Sequence, residues 1–484
     1  MTTAAQPAAA DLRPIGPCLY ELGRAPGSAM RVPARVFADE VLLTQIVHDR
    51  SISQLVNVTT LPGIVDAALG MPDMHEGYGF PVGGVAATEL PDGVISPGGI
   101  GFDINCGVRL LVSGLREEDV HPSLEALVHE MSRSVPAGYG RHGRLALTRE
   151  EMDRVLGEGC PYLVREHGLG RPEDLPLIES GGVIASAAPG AVSERAKQRG
   201  EDQLGTLGGG NHFIEVQVVD AIFDAPAAEA LGVSLGQVTV LVHTGSRGLG
   251  HQVCTDHVKV MDTALHRYGI TVPDRQLACV PLSSPEGQRY FGAMCAAVNF
   301  AFCNREVIAH RAREVFRRVL HGAPAAELRL VYDVAHNTAK IERHGDRTLC
   351  VHRKGATRAF GPSSAEIPEA YRGVGQPVLI PGSMGTASYL LVGTDAADAL
   401  SFSSTCHGAG RAMSRGAAKR RVQGHVLRKE LLARGIVVRC PSNEELAEEA
   451  PLAYKDVDRV VDVVHRAGLA RKVARLRPIG VVKG

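Results

Sequence analysis

The chain has no C-x-x-C pair among its 10 cysteines, no run of 18 apolar residues, and almost no net charge: −1, from 52 basic and 53 acidic residues. Each absence excludes something. Scattered cysteines follow an opening MTTAAQPAAA that has neither a basic n-region nor an apolar h-region, which predicts free thiols in a reducing cytoplasm. Without a long apolar run there is no candidate transmembrane helix. A protein that coats nucleic acid is usually basic overall, so a polyanionic partner here must meet a local patch. The 55 glycines carry no repeat, so a collagen-like or disordered chain is excluded, and 44% hydrophobic with 22% charged residues is a globular composition.

A length of 484 residues ordinarily divides into about two to four domains. No internal repeat or long linker marks a boundary, however, and the motifs below run from residue 73 to residue 483. Those motifs must share one site. A single interwoven domain over 13–484, after a frayed tail at 1–12, is therefore expected, of mixed α/β (α+β) class with its site built from turns and strand ends.

What is present begins at 71–109, MPDMHEGYGFPVGGVAATELPDGVISPGGIGFDINCGVR, where 13 residues are Gly or Pro. Turns of this kind let Asp73, His75, Glu76, Asp103 and Cys106 converge. Strands are predicted at VGGVAAT, GVRLLVSG, FIEVQVVD, VTVLV and LRLVYDV, and helices over 37–48, 121–135, 288–320, from about Arg411, and up to about Gly468. Region 115–200, with its Gly-rich PAGYGRHGR turn, carries no constellation, and His142, His167 and His310 read as surface or packing residues. Cys295, Cys303 and Cys406 read as packing residues.

Three strands each bring one histidine to a polar or glycine turn: His212 after LGTLGGGN, His243 before TGSRG, and His336 before Asn337. With Asp103 and Cys106 these make five ligand-type side chains, enough for two metal ions sharing a thiolate. Cys with His suggests zinc, while the carboxylate and a shared site leave manganese, iron or cobalt open. His407, in CHGAGR before a basic helix, stands apart as a candidate nucleophile, with a carboxylate such as Asp73 to fix its tautomer. The chemistry indicated is phosphoryl transfer with basic clamps.

Taken together, MPDMHEGYGFPVGGV, GGIGFDINCGVR, LGTLGGGNHFIEV, VHTGSRGLG, VAHNTAKIE, HRKGA, PGSMGTAS, HGAGRAMSR and the terminal VKG closely resemble the RtcB-type RNA-splicing ligases, in the same order from about residue 70 onward. The resemblance implies a GTP- and Mn²⁺-dependent ligase. Such an enzyme joins RNA ending in a 2′,3′-cyclic phosphate or 3′-phosphate to RNA with a 5′-hydroxyl, through a covalent GMP–histidine, in tRNA splicing or RNA repair. It implies Asp103, Cys106, His212, His243 and His336 as ligands of two Mn²⁺ ions, His407 as the guanylylated residue and Asp73 as its orienting partner. Asn211, Glu215, His336, Asn337, Ser383, Ser388, His407, Gly408, Ala409, Gly410, Arg411, Tyr454 and Lys483 resemble the GTP contacts. Arg247, Lys354, Arg411 and Arg415 match basic positions expected near phosphates or RNA, with a wider basic patch over 411–429 and 466–477. An archease-type activator is a known kind of partner for the family. The rival readings are a metal-dependent phosphoesterase or nuclease without nucleotidylation, a non-enzymatic RNA-binding protein, and a redox sensor.

Overall fold

A computed structural model describes residues 11–24 and 26–484. Two mixed sheets form its frame. One holds seven strands in the order Arg13–Gly16, Leu19–Leu22, Ala34–Phe37, Ala68–His75, Val82–Glu89, Arg347–Lys354 and Asn337–His344. The other runs Arg329–Ala335, Gly107–Arg116, Gln237–Thr244, Phe213–Ile222, Ala470–Lys483, Ser388–Gly393 and Pro377–Ile380, with Val437–Arg439 joined to the 470–483 strand. The class is the mixed α/β that the sequence indicates. Of the expected tail, residues 1–10 lie outside the described residues, while Leu12 is already part of the core.

The helix Pro285–Val319 is the longest element, started by Ser284, whose side chain accepts from Gly287 N. From 290 to 309 it is buried on all sides, in keeping with the all-round apolar pattern over much of that stretch. Among the described residues no helix is long and apolar enough to cross a membrane.

Several elements differ from expectation. The segment 37–48 begins as the end of a strand, and its helix is only Glu40–Ile46, capped by Asp39. Asp73 lies in the strand Ala68–His75, not in a turn. The basic helix starts at Arg415, capped by Ser414, and is interrupted before Gly424. After the helix Val457–Arg466 the chain forms the 14-residue strand Ala470–Lys483. Pro478 disguises that strand in the sequence, and the structure accommodates it at a register shift.

One connection organises the site. Strand Arg329–Ala335 belongs to one sheet and strand Asn337–His344 to the other, so the only residue between them is His336.

Candidate metal centre and nucleophile

Register places the ligands. In the second sheet Gly107 pairs with both Ala335 and Thr244, His243 pairs with Phe213, and Phe213 pairs with Lys483. Adjacent strands are about 4.8 Å apart, so Cys106, His212, His243, His336 and Lys483, at or next to these positions, gather along one sheet edge. The turn that adds Asp103 is held by Asn105, whose backbone is left-handed (φ 51°), and by a hydrogen bond from Cys106 N to Asp103 O at 3.0 Å. Gly245 follows the strand because a Cβ there would lie 2.3 Å from Asp103 Oδ1.

The donor atoms converge. His212 Nε2 lies 2.8 Å from Asp103 Oδ2 and 3.4 Å from Cys106 Sγ, and Cys106 Sγ lies 3.2 Å from His243 Nε2. His243 Nε2 is in turn 3.2 Å from His336 Nε2. Two overlapping groups result, Asp103–Cys106–His212 and Cys106–His243–His336, each with its ligand atoms within 4.8 Å of one another. Cys106 is common to both. The outer nitrogen of His212 sits 3.0 Å from Leu207 O, which fixes Nε2 as the inward donor.

Electrostatics suit cations. Burial keeps His243 and His336 well below the usual imidazole range, hence neutral and able to ligate. Burial, then the Asp103 charge, pushes the Cys106 thiol well up. Burial also raises the Asp103 carboxyl, but His212 and Arg247 outweigh it and hold it below its ordinary value. A buried thiol, a carboxylate and three imidazoles form a donor set that fits borderline divalent ions.

His407 follows the short strand Ser404–Cys406, which pairs with Ala356–Arg358, and Ala356 N donates to His336 O at 3.1 Å. The His407 and His336 ring centroids are consequently 4.8 Å apart. Asp73 Oδ2 lies 2.6 Å from His407 Nδ1 and accepts from His407 N at 3.1 Å. This directs the Nδ1–H to the carboxylate and leaves the Nε2 lone pair free. Gly410, at φ 75°, permits the fit, because a Cβ there would lie 2.2 Å from Asp73 O.

These groups face one cavity of about 1080 Å³, mouth included. Of the residues anticipated from sequence, Asp103, Cys106, Asn211, His243, His336, Asn337, Lys354, Ser383, Arg415, Tyr454, Lys483 and the whole run His407–Arg411 line it. Asp73, His212, Glu215, Arg247 and Ser388 do not. Asp73 stands behind His407, and His212 reaches the site through Asp103 and Cys106. Arg247 Nη1 lies 3.3 Å from the outer face of His212. Glu215 and Ser388 are buried a layer deeper, linked by Gln217 Nε2, which donates to Glu215 Oε2 at 2.7 Å and Ser388 Oγ at 3.1 Å.

Several cations differ from free phosphate clamps. Arg411 pairs with Glu449 at 3.2 Å and Arg415 pairs with it at 3.0 Å. Lys354 Nζ donates to Phe80 O at 3.0 Å, and burial pushes it down to about 7. Asn337 uses both ends of its amide internally, donating to Asp103 O and accepting from Gly355 N. The expected patch over 411–429 and 466–477 is interleaved with acids: Lys419 pairs with Glu448, Lys472 with Asp462, Arg475 with Asp220 and Arg477 with Glu117.

Sequence reasoning missed Glu449, Phe213 and Lys455, whereas His75, singled out within 71–109, does line the cavity. Glu449 sits in an ordinary acidic helix end, and only its partners reveal it. Phe213 was legible, being next to His212, and its ring faces Lys483 Nζ 5.8 Å from the centroid. Lys455 Nζ donates to Pro72 O and Met74 O and so fastens the strand bearing Asp73.

Comparison with known proteins identifies the family. A family model described as "tRNA-splicing ligase RtcB" matches residues 54–484. The tRNA-splicing ligase RtcB of Archaeoglobus fulgidus is 55% identical over 471 residues, 96% of this chain and 97% of the relative. That of Thermococcus kodakarensis is 53% identical, covering 94% and 95%. The RNA-splicing ligase RtcB of Mycobacterium tuberculosis is 54% identical over 438 residues, 89% of this chain and 100% of its own length. The similarity reaches well upstream of residue 70, where the recognisable motifs begin. The chain belongs to the RtcB family, that of the tRNA-splicing ligases.

Proposed function

We propose that this chain joins RNA ends carrying a 2′,3′-cyclic phosphate or 3′-phosphate to 5′-hydroxyl ends, using GTP and two Mn²⁺ ions, through GMP carried on His407. One observation supports this above the others. A histidine whose Nδ1 is held 2.6 Å from a buried carboxylate presents its free Nε2 to a cavity shared with the metal-type cluster. A hydrolase needs no such oriented nucleophile beside its metals.

In this reading Asp103, Cys106 and His212 would hold one ion, and Cys106, His243 and His336 the other. Bound ions would neutralise phosphate charge and align the reacting oxygens. His407 Nε2 forms a bond to the α-phosphorus of GTP, the bond to the β-phosphate oxygen breaks, and pyrophosphate leaves. Asp73 stabilises the imidazolium and keeps its Nδ1 proton. An oxygen of the RNA 3′-phosphate then takes the GMP and frees His407. The 5′-hydroxyl finally attacks that 3′-phosphate, losing its proton and displacing GMP. A cyclic phosphate is opened by water first. Asn211, Ser383, Tyr454 and Lys483 line the nucleotide's place, with Glu215 and Ser388 behind it. The free thiols and the lack of a membrane-spanning helix among the described residues suit a cytoplasmic enzyme. An archease-type activator is a compatible partner.

The test is incubation with α-labelled GTP and Mn²⁺, followed by denaturation. Label retained on the wild type and lost in His407→Asn supports the reading. RNA cleaved or dephosphorylated without protein labelling would instead make the chain a metal-dependent phosphoesterase or nuclease.

A further inference from the structure

The segment 136–141, PAGYGR, is tied to the turn that precedes Asn211 by Gly138 N, which donates to Gly208 O at 2.8 Å. It borders a second cavity of about 750 Å³, lined by Arg133, Arg141 and Arg439. Lys483 lines both this cavity and the catalytic one. On the exposed ridge 139–141 stands Tyr139, 64% exposed, more than any other large hydrophobic side chain among the described residues.

Tyr139 covers the glycine turn that carries Asn211 and His212. A Cβ on Gly209 would lie 2.6 Å from its ring, and one on Gly210 3.2 Å from its hydroxyl. Glycine there lets the ring lie against the backbone, with the rest of its surface in solvent. A Cβ on Gly210 would also lie 2.5 Å from Arg415 Nη2, so the phenol stands beside a cation that lines the catalytic cavity. An aromatic surface left open beside a cation, in a chain with only 4% aromatic residues, has the form of a base-stacking platform.

The groove beyond it is basic. Arg141 forms no ion pair among the described residues. Arg133 and Arg439 pair with Glu130 and Glu125 only at the exposed surface, where such pairs are weak and exchangeable.

We propose that this ridge and groove bind the single-stranded RNA leading to the terminal 3′-phosphate. The base next to that phosphate stacks on Tyr139, and the preceding backbone phosphate lies against Arg141. The inference rests on the RNA-ligase reading and extends it from the reacting phosphate to the strand that delivers it.

The test is the affinity of the full-length Mn²⁺-loaded protein for a short 3′-phosphorylated RNA, measured by fluorescence anisotropy. Replacing the terminal base by an abasic site should weaken wild-type binding roughly five- to hundredfold, the range of one base–aromatic stack. Tyr139→Ala should lose the same factor on intact RNA and nothing further on abasic RNA, while Tyr139→Phe should stay within about twofold of wild type. Arg141→Ala should reduce the salt slope by about one. Wild-type binding indifferent to the terminal base overturns the proposal even if Tyr139→Ala fails to fold. Equal weakening of both RNAs by Tyr139→Ala, or an effect confined to the 5′-hydroxyl strand, also overturns it. A wild-type protein that binds no such RNA overturns the ligase reading itself, a separate result.

Discussion

Asp73 meets His407 twice, accepting from its backbone N–H at 3.1 Å and facing its ring Nδ1 at 2.6 Å, across 334 positions of sequence. The backbone contact fixes where His407 stands, and the ring contact fixes which nitrogen is free. Asp73→Asn keeps the shape and removes the carboxylate. It is expected to lower the rate of covalent GTP labelling by roughly 10²–10⁴-fold, the scale seen when a histidine loses its orienting carboxylate. Labelling time courses at saturating GTP measure it, and an unchanged rate would remove Asp73 from the mechanism.

Cys106 belongs to both ligand groups, whereas His336 belongs to one. Cys106→Ala is therefore expected to abolish tight binding of both Mn²⁺ ions, and His336→Ala to leave one, held by Asp103, Cys106 and His212. Isothermal titration with Mn²⁺ reads the stoichiometry directly. Two sites surviving in Cys106→Ala would show that the thiolate does not bridge.

Arg305 fastens the ligand turns from beneath. Fully buried, it donates to Asn105 O at 2.8 Å, to Thr244 O at 2.9 Å and to Asp333 Oδ1 at 2.8 Å. These contacts join the turn before Cys106, the residue after His243 and the strand leading to His336. Arg305→Met would leave Asp333 with Arg109 alone and is expected to cost about 3–5 kcal/mol, as for other broken buried ion pairs. Urea unfolding gives the number. Since the same contacts aim the ligands, Mn²⁺ affinity should fall in any variant that still folds.

Glu215 supplies a pH signature. Burial pushes its carboxyl up to about 8, against which Gln217 and Lys483 pull only weakly. A raised acid binds its proton more tightly folded than unfolded. Its stabilising contribution is thus complete below the ordinary glutamate value and declines as pH rises from there toward about 8. Glu215→Gln should flatten that decline and be more stable than wild type near pH 8 by on the order of a few kcal/mol. Melting curves across this interval decide it, and parallel curves would mean the carboxyl titrates normally.

How far the sequence carries depends on the range of the physics. Local periodicity identified the strands that end in His212, His243 and His336, because a buried strand followed by a glycine turn is written in consecutive residues. Their meeting at one edge depends on strand pairing across more than 200 positions, which no window of sequence contains. The Asp103–Cys106 turn was visible as GFDINC, but its clamp, Arg305, lies in the middle of an apparently apolar helix. Asp73 was recognised as a residue and misplaced as an element, since proline and short polar residues in MPDMH hide a strand that neighbouring strands enforce. The pairing of Arg411 and Arg415 with Glu449 was beyond sequence altogether, as charge partners three dozen residues apart leave no local trace.

His336 is the single residue that joins strand Arg329–Ala335 of one sheet to strand Asn337–His344 of the other, and it is also a ligand-type residue. Any sliding of one sheet against the other must drag this imidazole with it, so an ion gripped there would act as a rivet through both layers. Filling the site should accordingly slow amide hydrogen exchange in strands of both sheets, including 347–354, which contributes no ligand, and emptying it should let the two layers breathe independently.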